Sequence, residues 1–169
     1  MILTALLTTS CSSGKGQRAT PTTANSAPTA TTTTLNAVDQ SILAAYRKYW
    51  EVYIAVGSEM RLPDPRLGEV ASGDALRQLN SALLAGKADG EVFRGTIDLA
   101  PRVVSVSGDT ATVSDCYASH ILGYDAASGR PKGPERPGRT LVTVSMVREA
   151  GTWKVGGIRH EGDACTPAS

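Results

Sequence analysis

Residues 101–121, PRVVSVSGDTATVSDCYASHI, constrain the fold more than any other stretch of the chain. Val104 and Val106 alternate into Gly108-Asp109. Ala111, Val113, Asp115 and Tyr117 then alternate with Thr112, Ser114, Cys116 and Ala118. Two β-branched runs of period two, split by Gly-Asp, spell an antiparallel hairpin with a tight turn. The second strand carries an acid and a thiol side by side. Neighbours on a strand face opposite sides of the sheet, so one of Asp115 and Cys116 looks into the core and the other away from it.

The elements around this hairpin follow from the same periodicities. Asn36 is a suitable N-cap, and Asp39 suits the positive end of a helix. Val38, Ile42, Ala45, Tyr49, Val52 and Val56 recur at four and three, which predicts an amphipathic helix ended by Gly57, with Arg47, Lys48 and Glu51 on its other side. Four of the eight aromatic residues, Tyr46, Tyr49, Trp50 and Tyr53, share one face of it. They either pack on a sheet or send tyrosine hydroxyls into a cavity. Pro63-Asp64-Pro65 predicts a short helical segment through Val70, capped by Asp64. A second helix starts at Ser72 or Asp74, lines one face with Leu76, Leu79 and Leu83, and closes at Gly86. Residues 91–99, EVFRGTIDL, read as one strand with a bend at Gly95. Three prolines and four glycines exclude regular structure from 123–139, and the excess of Arg130, Lys132, Arg136 and Arg139 over Asp125 and Glu135 leaves two readings. It is a solvated connection, or a flap beside a pocket or acidic lipid head groups. Residues 141–148 and 153–160 form a second hairpin about Ala150-Gly151, and the first of these strands is apolar on both sides, as a central strand is. The order gives an α+β domain, helices on one face of a curved antiparallel sheet.

The N-terminus is of another kind. MILTALLTTS is a short apolar run followed by small residues, and Cys11 comes next. This resembles the end of a bacterial lipoprotein signal, in which the cysteine becomes the lipidated mature N-terminus. Thr8 departs from the usual Leu, and no basic leader precedes the run, so the true start is expected upstream of Met1. Residues 12–34 are Thr, Ala, Ser and Pro with little to bury, which predicts a disordered tether of about 25–30 Å reach, of a composition open to O-glycosylation. The domains expected are 1–11, signal; 12–34, tether; and 35–169, folded domain.

The net charge of +1 has no basic stripe behind it, so a nucleic-acid partner is not expected. His120 and His160 lie in no metal-ligand spacing, and neither a metal nor a cofactor is expected. No phosphate loop and no nucleophile elbow is present.

YRKYW at 46–50, DTATVSDC at 109–116, GTWKVGGI at 151–158 and the following Cys165 carry a resemblance to the nuclear transport factor 2-like superfamily, and more narrowly to its actinobacterial secreted and lipoprotein members. The resemblance spans about residues 35–167. It implies a cone-like fold in which N-terminal helices and a bent sheet enclose a pocket, lined here by Tyr49, Trp50 and Tyr117. The superfamily holds ketosteroid-isomerase-like and dehydratase-like enzymes as well as members without chemistry, so the fold alone does not give the function. Asp115 is the best acid–base candidate, with Tyr46 or Tyr53 as the group that would polarise a carbonyl. The other reading is a structural Asp115 bonded to a tyrosine or a backbone amide.

Three functions remain open. The first is a non-enzymatic extracytoplasmic lipoprotein binding a partner protein or small apolar ligand. The second is a pocket enzyme of the isomerase or dehydratase type, and the third an accessory subunit of an envelope transporter. With Cys11 carrying lipid, Cys116 and Cys165 are an even pair in an oxidising compartment, and a disulfide between them is expected, pinning the tail EGDACTPAS across the outer face of the sheet. Two free thiols are the alternative.

Overall fold

The computed structural model describes residues 36–134 and 138–167. Helix α1, Ala37–Glu59, begins where Asn36 accepts a hydrogen bond from the Asp39 amide at 2.8 Å. It buries Ile42, Leu43, Tyr46, Tyr49, Val52 and Val56 and leaves Val38 half exposed, so its apolar stripe starts one turn later than the periodicity predicts. The helix does not stop at Gly57. It runs to Glu59, and Met60 takes the left-handed cap, its amide donating to Val56 O. Helix α2, Arg66–Val70, opens with Asp64 accepting from the Arg66 amide at 2.9 Å. Helix α3, Gly73–Ala88, has Ser72 at its N-cap and continues past Gly86.

The two glycines read as stop signals serve a different purpose. A Cβ on Gly86 would lie 2.6 Å from the Phe93 ring, and one on Gly57 would lie 3.0 Å from Phe93 Cβ. Both helices continue through glycine because Phe93 packs against them there. The loss of helix propensity, about 1 kcal/mol each, is offset by packing a partly buried aromatic ring on both helices.

Residues 91–99 form two strands rather than one. Strand β1, Glu91–Arg94, pairs with β5, Leu122–Asp125, and β2, Ile97–Asp98, pairs with the end of β4, Thr110–Ser119. Between them Gly95 bends the chain at φ 138°, and a Cβ there would meet His120 O at 2.0 Å. The expectation that 123–139 lacks regular structure also fails at its start, because residues 122–125 find a partner in β1 that local sequence does not announce. The predicted hairpin is β3, Arg102–Ser107, with β4. The second hairpin is β6, Thr140–Glu149, with β7, Thr152–Asp163.

The main sheet runs β2-β4-β6-β7, and β3 also pairs with β4. Strand β6 is therefore central, as its two apolar sides predict. Register breaks in the β6–β7 pairing, between Leu141/Val142 and Ser145/Met146, bend the ribbon. Ala111, Val113, Asp115, Val142, Val144, Met146, Trp153 and Val155 make up the buried face towards the helices. This is the α+β architecture expected from the element order, N-terminal helices packed on a curved antiparallel sheet. Among the described residues no helix is long and apolar enough to cross a membrane.

Candidate binding site

Alternation along β4 turns Asp115 inward, opposite Val142, where it is 1% exposed. Two donors meet it. Tyr46 Oη on α1 donates to Oδ2 at 3.0 Å, and the Ala100 amide, just after β2, donates to Oδ1 at 2.8 Å. Burial raises the pKa of the carboxyl, against the Ala100 amide, the Tyr46 hydroxyl, the Cys116 amide and the Arg139 charge, which all favour the ionised form. Burial first, and then the adjacent Asp115 charge, push the Tyr46 phenol well above the tyrosine range, with only Trp50 opposing. Tyr46 therefore keeps its proton and donates it. The three groups tie α1, β4 and the segment after β2 together, and Asp115 is absent from the lining of five surface cavities formed by the described residues.

The aromatic residues of α1 meet Tyr117 and Phe93 in one cluster. Trp50 lies edge-on to Tyr49 at 5.3 Å and Tyr53 at 5.8 Å, and is tilted on Tyr117 at 5.4 Å; Tyr53 reaches Phe93 at 6.3 Å. Burial raises the phenols of Tyr49, Tyr53 and Tyr117. Of the residues expected to line one pocket, Tyr49 packs inside the cluster, while Trp50 and Tyr117 border two separate cavities; the carbonyl-polarising candidates Tyr46 and Tyr53 pack with Tyr49. The Trp50 indole N–H is buried without a geometrically formed hydrogen bond among the described residues.

The first cavity, about 410 Å³, is a groove between α1 and the β1–β2 bend, bordered by Arg47, Trp50, Ile54, Gly95, Ile97 and Leu99. The second, about 430 Å³, lies between the end of β4, the β1–β5 pair and the loop after β5. Tyr117, Ser119, Glu91, Lys132, Gly123 and Thr140 are among its walls. At this cavity Lys132 Nζ sits 3.1 Å from Glu91 Oε1 and donates to Asp89 O at 2.9 Å. Sequence reading missed Glu91 as a site residue because only the pairing of β1 with β5 brings it across from the loop. His120 Nε2 lies 3.5 Å from Asp98 Oδ2. Both are exposed, and pairs of this kind contribute little. The described residues contain no group of three or more His, Cys, Asp or Glu able to hold a metal.

On the opposite face of β4, Cys116 is bonded to Cys165, with Cα atoms 5.8 Å apart. Arg139 Nη1 donates to Cys116 O at 2.8 Å, and the Ala164 amide donates to Arg139 O at 2.8 Å, so the tail is held from two sides. Cys11 and the tether lie outside the described residues.

No protein-family profile and no curated protein matches the chain. Among solved structures, the intermembrane space region of the chloroplast protein ARC6 is similar over 75% of this chain and 97% of that one, with TM-score 0.55 and 17% identity. A protein with a cystatin-like fold from Nostoc punctiforme is similar over 77% and 96%, with TM-score 0.38 and 13% identity. A variant of Rv3472, a protein of unknown function from Mycobacterium tuberculosis, is similar over 72% and 70%, with TM-score 0.40 and 17% identity. At 17% identity the likeness to the ARC6 region is one of fold.

Proposed function

We propose that the chain is an extracytoplasmic lipoprotein of the actinobacterial type, anchored by lipidated Cys11, whose domain binds a partner protein or small apolar ligand without catalysis. The observation that carries the reading is the enclosure of Asp115. A general acid or base must come within hydrogen-bond reach of substrate, and both oxygens of this carboxylate are already engaged inside the core. The groove beside Trp50, with Ile54, Ile97 and Leu99, offers an apolar ligand or partner side chain its place. The disulfide supports an oxidising compartment.

Native mass spectrometry of protein extracted from its own membrane tests both halves. An acyl mass on Cys11 and a co-purifying apolar mass or protein are expected, and Cys11→Ser should leave the membrane fraction, because stable anchoring needs more than one chain. A Cys11→Ser protein that stays on the membrane, with no acyl mass on the wild type, overturns the anchor. A purified activity that disappears in Asp115→Asn while the fold persists overturns the binding reading in favour of the isomerase or dehydratase type.

A further inference from the structure

We infer, on the reading of the groove beside Trp50 as an apolar-ligand site, that its ligand is a single-chain carboxylate. This fatty-acid-like amphiphile lies along α1 with its head at Arg47 and its tail towards Ile54. The lining of the groove falls wholly within the described residues 47–54 and 95–99.

Shape points to one extended chain. Arg47, Trp50, Glu51 and Ile54 stand at i, i+3, i+4 and i+7 on α1, so one wall is a helix face about 10 Å long. The facing wall is the chain at 95–99, bare backbone at Gly95 and apolar at Ile97 and Leu99. Two such walls define a linear space, the shape of a single hydrocarbon chain. The Trp50 ring is already fixed by Tyr49, Tyr53 and Tyr117, so ordering this wall costs a ligand little. The volume of about 410 Å³ falls in the range of small-ligand sites.

Charge points to the head group. Arg47 marks one end of the helix wall and Ile54 the other. Glu51 between them is held by Lys48 at 3.1 Å, whereas Arg47 forms no salt bridge among the described residues. Arg47, Lys48 and Glu51 together leave one net positive charge on this face of α1. Asp98, between Ile97 and Leu99, is outside the lining and faces His120 at 3.5 Å. Residues 1–35 hold no aspartate or glutamate, so the tether brings Arg47 no acid of its own, and Glu135 stands between Pro134 and Gly138, which wall the cavity on the Tyr117 side. A guanidinium meets both oxygens of a carboxylate at once. A monoanion balances the single charge, where a phosphate monoester would bring an excess.

The test is calorimetry and amide NMR of the full chain carrying Cys11→Ser, which frees it of acyl chains of its own. Hexanoate, octanoate and decanoate, below their micellar concentrations, should give saturable shifts at Trp50, Gly95, Thr96 and Ile97, with affinity rising about fourfold per added methylene. Decanoate should bind about three- to fivefold tighter than decanol or decylamine, and decyl phosphate no tighter than decanoate. Arg47→Gln, at an exposed helix position, should bring decanoate down to the level of decanol and leave decanol unchanged. A decanoate preference that survives in Arg47→Gln overturns the carboxylate assignment and leaves the apolar-ligand reading standing. So does decanol or decylamine binding as tightly as decanoate, or decyl phosphate binding more tightly. Absence of saturable binding at these residues by every ten-carbon probe overturns both.

Discussion

Replacing Tyr46 by Phe isolates the contact that joins the helical layer to the sheet. The ring stays and only the hydroxyl is lost, so packing changes little. What goes is the 3.0 Å bond to Asp115 Oδ2, on a residue 1% exposed and beyond reach of compensating water. A hydrogen bond to a charged group contributes about 1.5–3 kcal/mol, and the same contact to the neutral amide of an Asp115→Asn variant about 0.5–1.5 kcal/mol. Tyr46→Phe should therefore lower stability near neutral pH by about 2–3 kcal/mol, or roughly 6–12 °C in Tm for a domain of this size. In an Asp115→Asn background its effect should fall by about 1–2 kcal/mol. The sign of the pH dependence is fixed by burial. Asp115 has a folded pKa above its ordinary value of 3.8, so the native state binds the proton more tightly than the unfolded chain. Its contribution to stability is greatest below 3.8, declines as pH rises through the window up to the folded value, and stays at the lower level above it. Tyr46 lowers that folded value. Without it the decline extends to higher pH, and the gap between variant and wild type widens from acid to neutral. Urea unfolding of the four proteins of the cycle, at about pH 4 and near neutrality, reads all of this. A neutral-pH loss under about 0.5 kcal/mol, or one equal in the Asp115→Asn background, would refute the reasoning.

Further outcomes follow from the covalent and steric features. The bond between Cys116 and Cys165 closes a loop of sequence separation 49, for which chain entropy gives about 4 kcal/mol. The Cys116→Ala/Cys165→Ala double variant should lose stability of that order in chemical denaturation, and non-reducing peptide mapping of the wild type should recover the two peptides joined; free-thiol labelling of both in native protein would contradict it. Gly86→Ala should destabilise by about 1–3 kcal/mol despite its better helix propensity, because the new Cβ meets the Phe93 ring. Gly68→Ala, with nothing within 4 Å, should stabilise α2 by about 0.5–1 kcal/mol, and thermal melts of the pair that move in the same direction would refute the packing account. Gly95→Ala combines a positive φ with a clash against His120 O and should fail to give a folded, monodisperse protein on gel filtration.

The sequence by itself determined the features that local periodicity and turn chemistry control. The cap at Asn36, the amphipathic run of α1, the hairpins about Gly108-Asp109 and Ala150-Gly151, and the placing of Asp115 and Cys116 on opposite sides of β4 are all written in spacings of two, three and four residues. So is the α+β order, since helices precede a run of antiparallel strands. Tertiary structure alone decided what depends on contacts distant in sequence. Gly57 and Gly86 look like helix ends, and only the arrival of Phe93 explains why both helices run through them. Residues 91–99 look like one strand, and only the pairing of β1 with β5 and of β2 with β4 divides it. Asp115, Tyr46 and Tyr53 invite an enzymatic reading, because the sequence shows residue types but not whether an oxygen is free. The fold joins Asp115 to Tyr46 across 69 positions and closes both within the core. The same long-range pairing brings Glu91 to Lys132 and opens a cavity that no local pattern announces.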